Sequence, residues 1–418
     1  MVAYHCGIDF GTSNTTVGVS NGREAHLIPL EGSHLTLPSA MFFDADDHDV
    51  RYGRGAIDLY LNGNEGRFMR ALKSILGTSL IHEKTYIHQK AVPFASILGF
   101  FFSNLKNRLE TRLNREMTDV VLGRPVRFVD KDDVADAEAQ RTLKRIAREQ
   151  GFRNIEFQYE PIAAALDYEQ RIAREELVLI VDIGGGTSDF SIVRVSPERR
   201  GNPQRGADIL ANGGIHIGGT DFDRLLSLKS VMPHLGFGSY TADRKRNLPS
   251  VYYHELATWH RINQLYKKNV LVELRQIRYE AERRDLVDRF IRIVEDRQGH
   301  SIAIAVEEAK IELTTAPTAI AVIADQGDWA RFSFTRNEFD EAISDSIARV
   351  VATVRRLLGD ACIQAGDINT ILLTGGSSMV PALREGILSL FPGAHIAESD
   401  LLGSVGIGLS LDAQSKFG

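Results

Sequence analysis

The stretch Leu179-Ile180-Val181-Asp182-Ile183-Gly184-Gly185-Gly186-Thr187-Ser188-Asp189, continued by Phe190-Ser191-Ile192-Val193-Arg194-Val195, echoes a much earlier one. The earlier copy is Gly7-Ile8-Asp9-Phe10-Gly11-Thr12-Ser13-Asn14, continued by Thr15-Thr16-Val17-Gly18-Val19. Each reads as a strand, an aspartate, a tight Gly-Thr-Ser turn and a second strand rich in β-branched residues. The first copy runs on through Asn21-Gly22, a strong two-residue hairpin signal, into a third strand ending near Leu30. Self-similarity at this distance implies two similar α/β halves, not a short-period solenoid.

The chemistry of such a turn suits a nucleotide with Mg²⁺. Backbone N–H groups in a tight glycine turn can point at phosphate oxygens without interference from Cβ. Thr and Ser hydroxyls add donors, and the aspartate binds Mg²⁺ through waters that the ion retains. One copy alone is also ordinary hairpin chemistry. Two matched copies, each with its aspartate two residues before the turn glycine, suggest hairpins gripping one triphosphate from opposite sides of a cleft. Other nucleotide folds fit poorly: no Gly-Lys dipeptide occurs, so there is no P-loop, and residues 182–189 do not form a G-x-G-x-x-G turn.

Outward from these turns, residues 135–150 have helical spacing and end at Gly151, where a helix C-cap belongs. A strand is expected at 155–158. Glu160-Pro161 then opens a helix over 162–173, with proline at its first turn. Residues 252–296 read as mostly helical, with Leu271, Leu274, Ile277 and Ala281 at helical spacing. Their charges are mixed in sign, as on a solvated helical subdomain. Thr370 to Thr374 is a strand running into Gly375-Gly376-Ser377, and a small-residue helix spans 403–411.

At 418 residues the chain can bury a large core and is long enough for two or more domains. It is 43% hydrophobic and 25% charged with a net charge of −6, a balance that recommends neither nucleic acid nor an anionic membrane as partner. Cys6 and Cys362 make no pair pattern, so a reduced, cytoplasmic protein is expected. The start of the sequence lacks the charged, apolar, small-residue order of a signal peptide. Its most apolar helical stretch, near Ile97 to Leu105, is too short to span a bilayer and reads as a buried helix. The 12 histidines show no metal spacing, so no metal beyond nucleotide-bound Mg²⁺ is expected.

Six segments, in order, resemble the heat-shock-70 family. Asp9-Phe10-Gly11-Thr12-Ser13-Asn14 is similar to its first phosphate loop and residues 182–189 to its second. Tyr159-Glu160-Pro161-Ile162-Ala163-Ala164-Ala165 resembles its connecting helix, and Leu373-Thr374-Gly375-Gly376-Ser377-Ser378-Met379-Val380-Pro381 its adenosine loop. Gly218-Gly219-Thr220-Asp221-Phe222-Asp223 and Glu307-Glu308-Ala309-Lys310 complete the set, which spans almost the whole chain.

The resemblance implies an α/β, duplicated actin-like ATPase (ribonuclease H-like) fold: two lobes, each of two subdomains, around a nucleotide cleft. Lobe I would be residues 1–180 with 398–418, its subdomain IB near 37–117; lobe II would be 181–397, its helical subdomain IIB near 229–316. The ligands implied are ATP or ADP with Mg²⁺. Asp9 and Asp182 would hold the hydrated ion. Gly11, Thr12, Ser13, Asn14, Gly184, Gly185, Gly186 and Thr187 would cradle phosphates, with Gly218 and Gly219 behind them. Lys73 falls where the family places its catalytic lysine, which could neutralise charge on the transferring phosphoryl group. Glu160 would orient water or Mg²⁺, and Thr187 joins these as a catalytic candidate. Glu307 and Lys310 would hydrogen-bond ribose, and Gly375, Gly376 and Ser377 would let the backbone approach the nucleoside. On sequence alone Lys73 is a surface lysine, Glu160 a helix-start carboxylate, Glu307 and Lys310 a surface ion pair three apart, and Gly375-Gly376 an ordinary turn.

The pattern departs from the family in three places. The two arginines that sandwich adenine are replaced by Ile311 and Met379, which would grip a base by dispersion and sulfur contact. The relay proline corresponds to Pro125 and its partner arginine to Arg141, across a longer intervening segment. After Leu411 no acidic-leucine linker, β-sandwich or helical lid follows, so the expectation is a short, heat-shock-70-like bacterial chaperone without its own peptide-binding domain. Three function classes remain open at this stage. The first is a slow ATPase that switches a protein partner or client. The second is an actin-like assembly or scaffold protein, or a nucleotide-sensing pseudo-ATPase, and the last a small-molecule kinase.

Overall fold

The structure, a computed structural model, describes residues 4–418 apart from 23, 48, 89, 130–131, 201, 203, 324–327 and 398–402. The boundary read at residue 398 lies outside the described residues. The sequence echo becomes a structural duplication. In the first half, His5–Phe10 pairs antiparallel with Asn14–Ser20, which pairs with Ala25–Leu27. On its other side His5–Phe10 pairs parallel with Asp119–Arg124, and that strand with Asn154–Tyr159.

The second half repeats this order. Glu176–Ile183 is the central strand, antiparallel to Ser188–Val195, which pairs with Ile209–Ile215. The central strand pairs parallel with Thr370–Thr374, and that one with His395–Ala397. Each pair of parallel outer strands is bridged by a helix, Asp133–Glu149 in one half and Pro381–Leu388 in the other. That connection is what parallel pairing demands.

Each sheet has its own core. Ile8, Phe10, Val17 and Leu122 pack with Phe101, Phe102 and Leu105 of helix Phe94–Leu113. The apolar stretch near 97–105 is thus a buried helix face, and among the described residues no helix is long and apolar enough to cross a membrane. In the second half Leu179, Val181 and Phe190 pack with Phe222, Phe339 and Val350. The segment 252–296 divides into Val251–Leu256, Ile262–Leu265, Lys268–Glu280 and Arg284–Glu295, with Leu274 buried as its spacing implies.

The halves exchange their last helices. Glu160–Glu169 follows the first sheet yet packs through Ile162, Ala164 and Ala165 against Val178, Ile180 and Leu372 of the second. Ser404–Phe417 follows the second sheet yet packs through Leu409 and Ala413 against Val121 of the first. This closing helix runs past the expected 411 to Phe417 because Leu409 and Ala413 continue its buried face. The helix expected over 162–173 stops at Glu169: the Arg200 guanidinium bonds the carbonyls of Glu169 (2.9 Å) and Ile172 (2.7 Å), and so caps its last turn. The two exchanged helices cross with backbone against backbone, since a Cβ on Gly408 would fall 1.8 Å from the Ala163 carbonyl oxygen.

That crossing yields a paired prediction. Gly408→Ala forces the helices apart and should cost about 1–3 kcal/mol in urea denaturation. Gly359→Ala, in helix Arg336–Asp360 with open space around the new methyl, should instead stabilise by about 0.5–1 kcal/mol.

Candidate functional site

The register of each central hairpin sets its aspartate at the strand end, beside the turn. Asp9 pairs with Thr16 and Asp182 with Asp189 across their ladders. The two turns then meet. A Cβ on Gly185 would lie 2.4 Å from Ser13 Oγ, so the second turn faces the first closely enough that a side chain there would displace the Ser13 hydroxyl. Asn14 begins its strand opposite Pro38, and the first turn is braced from behind by Ser39, whose hydroxyl donates to the Gly11 carbonyl at 2.7 Å.

The second turn is closed by Gly184 N–H donating to the Thr187 carbonyl at 2.9 Å. It is backed by the segment holding Gly218 and Gly219. Gly219 N–H donates to the Gly184 carbonyl, and Thr220 N–H to that of Gly185. A Cβ on Gly218 would meet Gly186 N at 2.6 Å. The Thr187 hydroxyl donates to Asp189 at 2.8 Å. Around Gly186 a Cβ would meet nothing within 4 Å, so this face of the turn is open.

Charged groups gather where the turns face each other. Lys73, on the short 3₁₀ turn Leu72–Ile75, donates from Nζ to Glu160 Oε1 at 2.7 Å, both side chains being largely buried. Glu160 is the first residue of the connecting helix. Burial first, then the Glu160 charge and that of Asp182, pushes the Asp9 carboxyl up to about 7 against the pull of Lys73. Burial, Asp189 and Glu160 push Asp182 up to about 7, again opposed by Lys73. Burial works against the Lys73 ammonium, but Glu160, Asp9 and Asp182 outweigh it and hold it above its ordinary value. Three carboxylates thus share one ammonium.

The nucleoside candidates are placed as follows. Gly375 takes φ +76° between strand Thr370–Thr374 and the turn Gly376–Met379, a left-handed conformation that favours glycine. A Cβ there would strike the Ile183 carbonyl and Asp182 Oδ1. Ser377 Oγ lies 3.4 Å from the Gly184 carbonyl, and Gly376 opens on free space. Lys310 and Glu307 share helix Gly299–Glu312 but do not pair with each other. Lys310 is buried and bonds Asp223 at 2.8 Å; Glu307 faces Arg70 at 3.9 Å. Ile311 is 58% exposed and Met379 half-buried. Arg141 lies exposed against Glu138 at 2.8 Å; its buried neighbour in the fold, Arg124, holds the Pro125 carbonyl (3.0 Å) and Asp136 (2.8 Å).

Several contacts have no sequence signal. Asp223 stands in a quoted segment, yet nothing in that segment assigns it to Lys310; burial pushes its carboxyl up to about 6 against the pull of that lysine. Opposite the helix crossing, residues of the first half touch the second. Tyr60 stacks on Phe68 (4.5 Å between centroids) and its hydroxyl lies 2.9 Å from His300 Nδ1, while the Arg70 guanidinium sits 4.8 Å over the Trp259 ring. Tyr60, Phe68 and Arg70 are irregularly spaced, so no periodicity marks them as partners of residues about 200 positions away.

A duplicated pair of sheets, two facing aspartate-glycine turns and exchanged crossing helices define the actin-like ATPase fold. Residues 5–232 and 288–399 match the Hsp70 protein family, and the chain belongs to that family. Among curated proteins it is similar to "Chaperone protein HscA" of Enterobacter sp. (strain 638), 27% identical over 436 residues, covering 99% of this chain. The protein of the same name from Salmonella typhimurium is 28% identical over 435 residues, again covering 99% of this chain. The chain spans 58% of the length of these relatives.

Hydrated Mg²⁺ fits the donor set. Asp9 and Asp182 offer hard carboxylate oxygens from the two halves, the donor type that suits Mg²⁺ with its retained waters. Without divalent cation the folded protein keeps protons on Asp9 and Asp182 that the unfolded chain has already released. The native state then binds more protons than the unfolded one, so their contribution to stability falls as pH rises from about 4 to about 7. Asp182→Asn cannot ionise. In EDTA it should be more stable than wild type at pH 7.5, with the difference shrinking towards pH 4, as read by urea midpoints.

Proposed function

We propose that the chain binds Mg-ATP and Mg-ADP between the two turns and hydrolyses ATP slowly, using the bound state to switch a protein partner or client. The observation that carries this reading is the convergence of Asp9, Lys73, Glu160 and Asp182 between two glycine turns drawn from the two halves. Mg²⁺ would supply charge neutralisation for the β- and γ-phosphates, held through water by Asp9 and Asp182. The N–H groups of residues 11–14 and 184–187 would bind phosphate oxygens. Lys73 would stabilise the negative charge that develops on the transferring group, and Glu160, bonded to Lys73, would orient the attacking water. Lys310 is already committed to Asp223, so ribose binding would fall to Glu307 and to Lys310 donors beyond that ion pair. Ile311 and Met379 would offer the base two apolar faces.

Both relatives are named as chaperones, which supports a protein client as the partner. Two free cysteines, Cys6 and Cys362, suit a reducing cytoplasm. The lobe limits 1–180 with 398–418, and 181–397, remain part of this proposal, as do the subdomains near 37–117 and 229–316.

Single-turnover phosphate release tests the assignment of roles. Lys73→Met and Glu160→Gln should each slow release by roughly 100-fold while leaving nucleotide affinity within about threefold. Unchanged release in both variants would remove these residues from the chemistry.

A further inference from the structure

Glu160 is one end of a ten-residue helix; the other end is Glu169. Glu169 is fully buried, and its carboxylate is saturated. It accepts from Arg205 Nη1 at 2.9 Å and Nη2 at 2.8 Å, and from Ser196 N–H at 3.0 Å. Arg205 is itself buried and spends its Nε on Asp208, which also accepts from Arg199. Two carboxylates and two guanidiniums therefore balance in charge, with Glu169, Arg205 and Asp208 buried and Arg199 partly exposed at the rim. The same segment adds a second hold, through the Arg200 bonds to the Glu169 and Ile172 carbonyls. Among the described residues, the hydrogen bonds from this segment to the connecting helix fall on Glu169 and on Ile172 just beyond it.

A buried ion cluster is a weak source of net stability, because desolvation offsets most of the Coulomb gain. What the bidentate geometry does supply is a fixed orientation. The helix is about 15 Å long and rigid, and its middle is pressed against Gly408 at the backbone crossing. Held at its end and at that crossing, it leaves Glu160 little freedom at the tip. Glu160 meets Lys73, which stands on the turn Leu72–Ile75 of the first half.

We propose that Arg205 is a positioning residue: by clamping Glu169, it fixes the axial and rotational setting of the connecting helix and so holds Glu160 against Lys73. The clamp segment belongs to the second half and follows strand Ser188–Val195, so movement of the second half against the first is transmitted to Glu160 through this helix. The inference rests on the proposed role of Glu160 in ATP hydrolysis, and its test includes a readout that does not.

Arg205→Met strands the buried Glu169 carboxylate and could unfold the protein, so the decisive variant removes all three buried charges in one step, leaving only the partly exposed Arg199: Glu169→Gln with Arg205→Met and Asp208→Asn. Arg205→Lys keeps the charge but loses the fork. Hydrogen exchange on the full-length protein should show residues 160–166 exchanging at least roughly tenfold faster in the triple variant, with 404–417 unchanged and Arg205→Lys intermediate. In single turnover with Mg-ATP, the triple variant should release phosphate roughly tenfold or more slowly than wild type, at an ATP affinity within about twofold. Unchanged exchange at 160–166 overturns the clamp. Faster exchange with an unchanged rate overturns its role in positioning Glu160. Absence of hydrolysis in wild type would instead overturn the proposed function, and the exchange result would still judge the clamp.

Discussion

Three carboxylates and one ammonium occupy the meeting point of the two halves, and that imbalance governs the rest of the structure. Asp9, Asp182 and Glu160 are drawn together out of water with only Lys73 to offset them. Without further positive charge the protein answers by retaining protons on the two aspartates. On the proposed function a hydrated divalent cation would answer better, bringing with it a polyanion for the surrounding backbone N–H groups. Gly218 and Gly375 stand where a side chain would push into the backbone of the second turn and the central strand.

The exchange of terminal helices turns a duplicated fold into a coupled one. Each sheet is covered by the helix that ends the other half, so the halves cannot move without shifting both helices about the Ala163–Gly408 crossing. The Ala163–Gly408 crossing joins the halves at one contact. At another, Tyr60, Phe68 and Arg70 reach across to His300 and Trp259, where burial lowers the His300 imidazole to about 4 and keeps it neutral among aromatic rings.

How much of this could be read from the residues depends on the range of the forces involved. The turns at 11–14 and 184–187 were readable because a strand, an aspartate and a Gly-Thr-Ser turn form a local signal that occurs twice, and at Gly11 a Cβ would strike the Asn14 carbonyl. The buried face of Phe94–Leu113 and the strand Thr370–Thr374 were readable from composition and period. The duplication followed once two local signals agreed. Contacts between distant residues left no such trace: the Lys310–Asp223 pair, the Tyr60–His300 contact and the Arg205–Glu169 cluster all depend on side chains brought together only by the tertiary fold. The early stop of the connecting helix at Glu169 has the same origin, since helical propensity continues through residue 173 and the capping arginine lies on a separate segment.

Calorimetric titration of ATP with Mg²⁺ into the wild-type protein and into Asp182→Ala tests the central claim most directly. Binding to wild type that depends on Mg²⁺ and is lost in the variant is the result expected if the shared carboxylates hold the cation-bearing nucleotide. Failure of wild type to bind, or equal binding by Asp182→Ala, would contradict it.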